Sequence, residues 1–488
     1  MKWAISFFTV LMFAIGCGGG QVQKQGGPDR SKLPGPAAAS PWSQPEIETW
    51  TLSNGLNVWF VRQTQAPLLA IQLVFPKGSA TDPGGRAGTT ALMVDLLDEG
   101  ADGLSALELS DAFSQLATDY SVRVDIDSAT LSMSLLADKL DASLSLLAKI
   151  LTKPGFAETD FNRVKAQRDA RALTSESNPS SVAFVVARRV MNGSGYGAYS
   201  PNGVRKTLAQ VTRKDVQLQY EKLIKPNGAT VVVVGDCERT ALEAALENNL
   251  GQWTGRQVES PIEPSTKPSN VGIRLVDFPG SSQSMVIAIR QAEGAKAPDY
   301  FQSEVFNKAF AGAFTARVNM NLREDKGYTY GARGAFMRLL DDGAYLIYAK
   351  VKGETTKASI DEILKEIRLV SGDKPITADE VESAKSSMIK GIPGRFERMG
   401  NVAGELGGLV AKKRGLDWYH SRMKKVAQVS LSMARDAAQK HAVAEQFQII
   451  VAGDKAKILD GLKTFGLPIF LYDAQGDYLG PLSVDDSN

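Results

Sequence analysis

Imidazole is the scarcest reactive group in this sequence. Its 488 residues hold two histidines, His420 and His441, which stand 21 apart. That count excludes a histidine-rich metal site and any mechanism needing several imidazoles. Thiols are as few. Cys17 lies in an N-terminal segment with the character of a leader, which leaves Cys237 alone in the body. No intramolecular disulfide framework is then open to the mature chain. Cys237 closely follows the apolar run Val231–Val234 and reads as a small buried hydrophobe at a strand end. The other run with chemical promise is Leu322-Arg323-Glu324-Asp325-Lys326-Gly327-Tyr328-Thr329-Tyr330. Arg323 offers a fixed cationic fork, and Tyr330, seven residues on, a neutral O–H donor. Taken alone, such an arginine reads as solvated charge and such a tyrosine as strand packing.

The elements that must position these groups come in two sets. Val231-Val232-Val233-Val234-Gly235-Asp236 is matched by Ile449-Ile450-Val451-Ala452-Gly453-Asp454, with the glycines 218 apart. The run Ala70–Phe75 before Gly78 is matched by Met285–Arg290 before Gly294, an offset of 216 between the glycines. The helix starts at Thr159-Asp160-Phe161 and Thr377-Ala378-Asp379-Glu380 lead to Lys165 and Lys385, 220 apart. Such self-similarity predicts two homologous halves of about 210 residues, a soft fit to one domain each. The halves span 47–255 and 273–488, joined by a Pro/Ser-rich linker over 256–272 that contains Pro261, Pro264 and Pro268. In the first half, alternation at Tyr120, Val122, Val124 and Ile126, then Leu131, Met133 and Leu135, predicts a hairpin turning near Asp127. Leu140, Leu144, Leu147 and Leu151 follow at helical spacing. The second half predicts strands over 328–337 and 344–351 around Asp341-Asp342-Gly343, a helix through Ile360 to Ile367, and a capping box at Thr377 and Glu380. Hairpins followed by helices make the fold α+β, an antiparallel sheet covered by helices in each half. The glycines at 400, 404, 407 and 408 predict either close packing or a mobile loop.

Composition adds limits. Hydrophobic residues are 43% and charged ones 23%, an ordinary globular balance. Lys and Arg total 56 against 54 Asp and Glu, so no basic field supports nucleic-acid binding. Lys2, the apolar stretch Trp3–Ile15 and Ala14-Ile15-Gly16-Cys17 form an export leader over 1–17. Small residues before a cysteine resemble the lipobox of bacterial lipoproteins, in which the cysteine becomes the lipidated first residue. An ordinary cleaved signal with an incidental cysteine is the other reading. Residues 18–46, rich in Gly, Pro, Gln and Ser, are expected to be a flexible tether. The expected location is the bacterial envelope, facing the periplasm, with Gly18 after Cys17 favouring the outer membrane.

The duplicated halves, together with two local segments, resemble the pitrilysin/insulinase-type zinc peptidases, in the branch of the processing peptidase-like proteins. That family carries His-x-x-Glu-His on an early helix, where histidines at i and i+4 bind zinc and the glutamate activates water. The matching segment here is Gly88-Thr89-Thr90-Ala91-Leu92-Met93-Val94-Asp95-Leu96-Leu97-Asp98-Glu99-Gly100. It places Ala91, Val94 and Asp95 at the three functional positions, and Arg171-Ala172 where a glutamate should complete the set. The second segment is the run Phe310–Tyr330, with Gly312, Leu322, Arg323, Gly327 and Tyr330 in register. In the family its arginine and tyrosine hold the substrate carbonyl across the cavity from zinc.

The resemblance therefore implies a subunit with no metal or cofactor of its own. Arg323 and Tyr330 would serve a composite site whose zinc sits in a homologous partner subunit. The substrate would be an extended peptide, added as a strand to a sheet edge. The alternative is a non-enzymatic envelope scaffold or peptide-binding lipoprotein of the same fold. An independently active peptidase with a rebuilt site would need clustered Asp and Glu ligands, and the sequence offers no such pair.

Overall fold

The computed structural model describes residues 42–258, 262–266 and 270–482. Cys17, the leader and nearly all of the expected tether lie outside the described residues, as do Pro261 and Pro268. Among the described residues no helix is long and apolar enough to cross a membrane.

Each half is built on one mixed sheet. In the first the strands run in the order Glu48–Thr51, Asn57–Arg62, Thr230–Gly235, Leu68–Phe75, Ala129–Leu136, Asp119–Val124. In the second the order is Thr329–Arg338, Gly343–Lys352, Gln283–Ala292, Gln448–Gly453, Ile273–Asp277, Ile469–Tyr472, Tyr478–Pro481. Five strands correspond one to one. Asn57–Arg62 lies parallel to Thr230–Gly235, as Ile273–Asp277 lies parallel to Gln448–Gly453. The predicted hairpins pair antiparallel, Val122 opposite Leu131 and Phe336 opposite Tyr345. The sheets differ only in what extends the parallel edge: one antiparallel strand in the first half, two strands from the C-terminal tail in the second. The two halves and the α+β class stand as expected.

The central strands Thr230–Gly235 and Gln448–Gly453 are buried at every residue. That is why both read as unbroken apolar runs rather than as alternation. One face of the first sheet is covered by helices including Leu140–Thr152 and Arg239–Leu250, and the second by Thr356–Ser371 and Lys455–Lys463. Thr377 caps the helix Ala378–Lys390 with the reciprocal Glu380 bond of a capping box.

The opposite faces are covered by exchange. Helix Pro179–Asn192, from the first half, lays Val182, Val186, Val190 and Met191 on Val276, Ile287, Leu346 and Ile450 of the second sheet. Helix Met399–Ala411, from the second half, lays Val402, Leu406 and Leu409 on Val61, Val232 and Val234 of the first. The glycine-rich stretch is thus a packed helix, not a loop. Gly407 has a reason: a Cβ there would stand 2.4 Å from the side-chain oxygen of Gln72 on strand Leu68–Phe75. A larger residue would have to turn the Gln72 side chain aside and crowd Val74.

The halves also meet at one carboxylate. Asp127, in the first hairpin turn, is buried and accepts from Tyr196 Oη, from Leu340 N at 3.0 Å and from Lys412 Nζ at 2.8 Å. Leu340 sits in the second hairpin turn, while Tyr196 and Lys412 each follow an exchanged helix.

Candidate functional site

The segment matched to the zinc motif folds as helix Thr89–Asp95, enclosed from Thr89 to Val94. Its N-terminus is held by Asp82, whose carboxylate accepts from Gly88 N at 2.7 Å and from Thr90 N at 2.8 Å. Burial pushes the Asp82 carboxyl up to about 7, and the hydrogen bonds from Thr90 and Gly88 offset this only in part. Gln219 Nε2 donates to Thr90 Oγ1 at 2.8 Å, which ties in the helix Arg213–Leu223. The helix is therefore rigidly placed although it spans only seven residues.

Ala91 and Val94 sit in its buried face, each 1% exposed. Asp95, one turn from Ala91, looks toward helix Glu158–Glu176, which carries Arg168, Arg171 and Ala172. Arg168 reaches between the two helices. Its Nη2 lies 2.7 Å from Asp95 Oδ2 and donates to the Ala91 carbonyl at 2.8 Å. Its Nη1 donates to Asn202 Oδ1 at 3.4 Å. Arg171 approaches the same Asp95 oxygen at 3.8 Å from the surface. Burial pushes the Asp95 carboxyl up, and the Arg168 charge only partly offsets it. Burial pushes the neighbouring Asp98 up to about 6, with the Glu99 and Asp95 charges adding to the rise.

These residues do not fit a zinc ion. Ala91 and Val94 carry no donor atom, and Oδ2 of Asp95 is engaged by a guanidinium. Among the described residues no three His, Cys, Asp or Glu side chains converge as ligands would. The carboxylate on the third-ligand helix nearest to Arg171 in the chain is Asp169, which is taken by Arg205 at 3.0 Å, and Glu176 lies more than a turn beyond.

Arg323 and Tyr330 belong to adjoining elements of the second half. Arg323 lies in a π-helical turn, Met320–Asp325, a local widening that recurs at functional sites. The turn is closed by Gly327 at φ +65°, whose N–H donates to Arg323 O at 3.1 Å. That left-handed backbone is why a glycine stands there. Tyr330 falls in the break of strand pairing between Thr329 and Ala332, on the edge strand of its sheet. Such a bulge re-aims a side chain. Tyr330 is 91% exposed. The Arg323 guanidinium stacks on the Phe314 ring at 4.4 Å, and its Nε lies 3.2 Å from Glu324 Oε1. Among the described residues, no hydrogen bond or ion pair joins either residue to Asp95 or Arg168.

The histidines stand apart from both segments. His420 is exposed. His441 is buried, with Nε2 2.7 Å from Asp299 Oδ2 at the start of helix Tyr300–Phe310. Cys237 is half-buried against the first core, and burial pushes its thiol up to about 11, so it is held as the inert thiol.

The residue that sequence reasoning missed is Arg168. Its signal was indirect: a buried Asp95 needs a counter-cation, and the facing helix can supply one. Also missed was a cleft beside it of about 350 Å³, lined by Arg168, Arg171, Glu176, Phe184, Val185 and Arg188 among others.

Two family models match the chain. One, described as insulinase (peptidase family M16), covers residues 58–197; the other, described as the peptidase M16 inactive domain, covers residues 210–388. The non-peptidase homolog YmxG of Helicobacter pylori is 22% identical over 80% of this chain and 90% of its own. An uncharacterized zinc protease YmxG of Bacillus subtilis is 18% identical over 70% of this chain and 82% of its own. Among solved structures, a peptidase M16 inactive domain from Pseudomonas fluorescens superposes with TM-score 0.76 at 23% identity, over 84% of this chain and 98% of that one. A chain of complex III2 from Candida albicans superposes with TM-score 0.70 at 16% identity, over 86% of this chain and 99% of that one.

Proposed function

We propose, for a chain that belongs to the peptidase M16 (insulinase) family, a task other than cutting peptide bonds on its own. It is the metal-free subunit of a heteromeric zinc endopeptidase, binding an extended peptide beside a homologous subunit that carries zinc. The observation that carries this reading is the ion pair in the motif position. Arg168 spans Asp95 and the Ala91 carbonyl, so a fixed cation of this chain stands among the residues matched to the family's ligands. A positive side chain there repels a divalent ion as well as failing to ligate it.

Arg323 and Tyr330 supply the remaining part of the chemistry. In this reading the exposed phenol on the edge strand and the guanidinium seven residues before it, in the π-helical turn, would donate to a carbonyl that a neighbour brings up. Thr329–Arg338 is the outer strand of its sheet, but its Ala332 and Gly334 N–H groups already donate to Asn319 Oδ1 and Ala311 O, so an extended peptide would have to pair beside those positions. In this reading Cys17 carries the lipid and the body faces the periplasm on its tether.

The test is to mix the chain with a homologue from the same genome that retains His-x-x-Glu-His. Cleavage of a peptide substrate should appear only in the mixture and fall about 100-fold or more with Arg323→Ala. No gain on mixing rejects the composite site.

One observation favours a second reading. Arg323 is already engaged by Glu324 and Phe314, which suits a fold kept as a non-enzymatic scaffold. In that case Arg323→Ala and Tyr330→Phe leave the cellular phenotype untouched, and no zinc-bearing protein co-purifies.

A further inference from the structure

Two buried polar atoms beside the motif position have no partner among the described residues. One is Nε of Arg168, whose side chain is 10% exposed; the other is Oε1 of Glu176. Both residues line the cleft of about 350 Å³ between helices Glu158–Glu176 and Pro179–Asn192. Arg168 is held by Asp95 and the Ala91 carbonyl, so the open atom that a ligand would meet is the Glu176 acceptor, which asks for an N–H donor.

The charge in the cleft is uneven. Arg168 is committed to Asp95, but Arg171 makes only a 3.8 Å approach to that residue. Arg188 is half-buried and has no hydrogen-bond or ion-pair partner among the described residues. The carboxylate whose charge reaches it is Asp125, which Arg123 already engages. Against these two guanidiniums stands the single carboxylate of the lining, Glu176, which burial pushes above its ordinary value while the Arg205 charge and N–H partly offset the rise. The wall between them is apolar, from Val182, Phe184 and Val185 with Ala474 of the C-terminal tail.

We propose that this cleft captures the C-terminal end of a peptide. A chain terminus presents a carboxylate for the planar forks of Arg171 and Arg188, and guanidinium–carboxylate pairing is the strong, oriented form of this contact. Two bonds away it presents an N–H for Glu176, and its last side chain meets the Phe184 and Val185 wall. An Asp or Glu side chain shares the carboxylate but does not carry a backbone N–H at that spacing. The cleft lies at the small end of ligand-site volumes, which suits a chain end rather than a passing segment. This inference is independent of the composite site, since it concerns binding by the isolated chain.

Calorimetric titration of the full mature chain tests it. The probes are an N-acetylated alanine pentapeptide ending in leucine as free acid, the same peptide as C-terminal amide, and that amide with one internal glutamate. The free acid is expected to bind at least tenfold more tightly than either amide, with Arg188→Gln and Arg171→Gln each weakening it at least fivefold. Arg188→Gln should keep the parent melting temperature, and Arg188→Lys should recover part of the affinity. Equal binding of acid and amide, binding unchanged by both arginine variants, or no binding of the free acid overturns the proposal. An internal glutamate that binds as tightly as the free acid overturns it in favour of a side-chain carboxylate. Because no zinc-bearing partner is present in the titration, failure of the composite site leaves the result standing, and the reverse.

Discussion

Arg168 Nη2 lies 2.7 Å from Asp95 Oδ2 and also donates to the carbonyl of Ala91, so one guanidinium joins two residues a helical turn apart. Both side chains are largely buried, at 10% and 20% exposed. Removing Asp95 leaves Arg168 without its counter-charge, and removing Arg168 leaves Asp95 only the exposed Arg171 at 3.8 Å. Arg168→Ala should therefore cost about 3 kcal/mol, seen as a lower urea midpoint. Replacing both with Met and Leu should cost much less. A single variant as stable as the parent would show that the pair is solvated and idle.

Restoring the histidines alone should not restore the metal. Ala91→His with Asp95→His leaves Arg168 facing both rings and Arg171-Ala172 at the third position, so two ligands and a cation meet the ion. Equilibrium dialysis should find no stoichiometric zinc on this variant. Adding Arg168→Ala and Ala172→Glu should raise zinc affinity at least tenfold. Tight zinc on the double-histidine chain contradicts the blocking role given to Arg168.

Asp98 sets a pH dependence. Its carboxyl is pushed up to about 6 by burial, above the ordinary value of 3.8. The folded state therefore holds this proton more tightly than the unfolded chain, and stability falls as pH rises from about 4 through 6. Asp98→Asn carries no such proton. The variant should become more stable than the parent by about 1–2 kcal/mol at pH 7.5, with the gap closing at pH 4. Parallel pH–stability curves for the two proteins would remove Asp98 as the cause.

The exchanged helices make each half depend on the other. Leu406→Ala truncates a buried side chain of the second half and should cost about 2–5 kcal/mol, although that side chain packs on the first sheet. Residues 47–255 produced alone should aggregate, because Val61, Val232 and Val234 are left uncovered. Co-expression with residues 273–488 should rescue solubility. A soluble, two-state first half on its own would mean that the exchange adds nothing.

What was legible in the sequence was what is local or periodic. Thr377 and Glu380 announce a cap because both partners lie within one turn. The hairpins show because Val122 and Leu131 alternate toward one face. The duplication shows because fully buried strands such as Thr230–Gly235 and Gln448–Gly453 admit little but aliphatics. The destination of an amphipathic helix is a different matter. Val182, Val186 and Val190 say that something covers that stripe, but not that it is the sheet of the other half. The spacing of Gly404 and Gly407 marked a close approach without naming Gln72. The candidate site divides the same way. Ala91, Val94 and Asp95 are singled out by register alone, whereas Arg168 and the orphaned atoms of the cleft depend on packing between distant segments.

The reciprocal exchange has a mechanical consequence. Swinging the two sheets apart would strip Val186 and Leu406 from their seats at once and break Asp127 from Lys412, so no single hinge is free to turn. The two sheets are therefore expected to keep their mutual placement under any load that does not unseat both helices together.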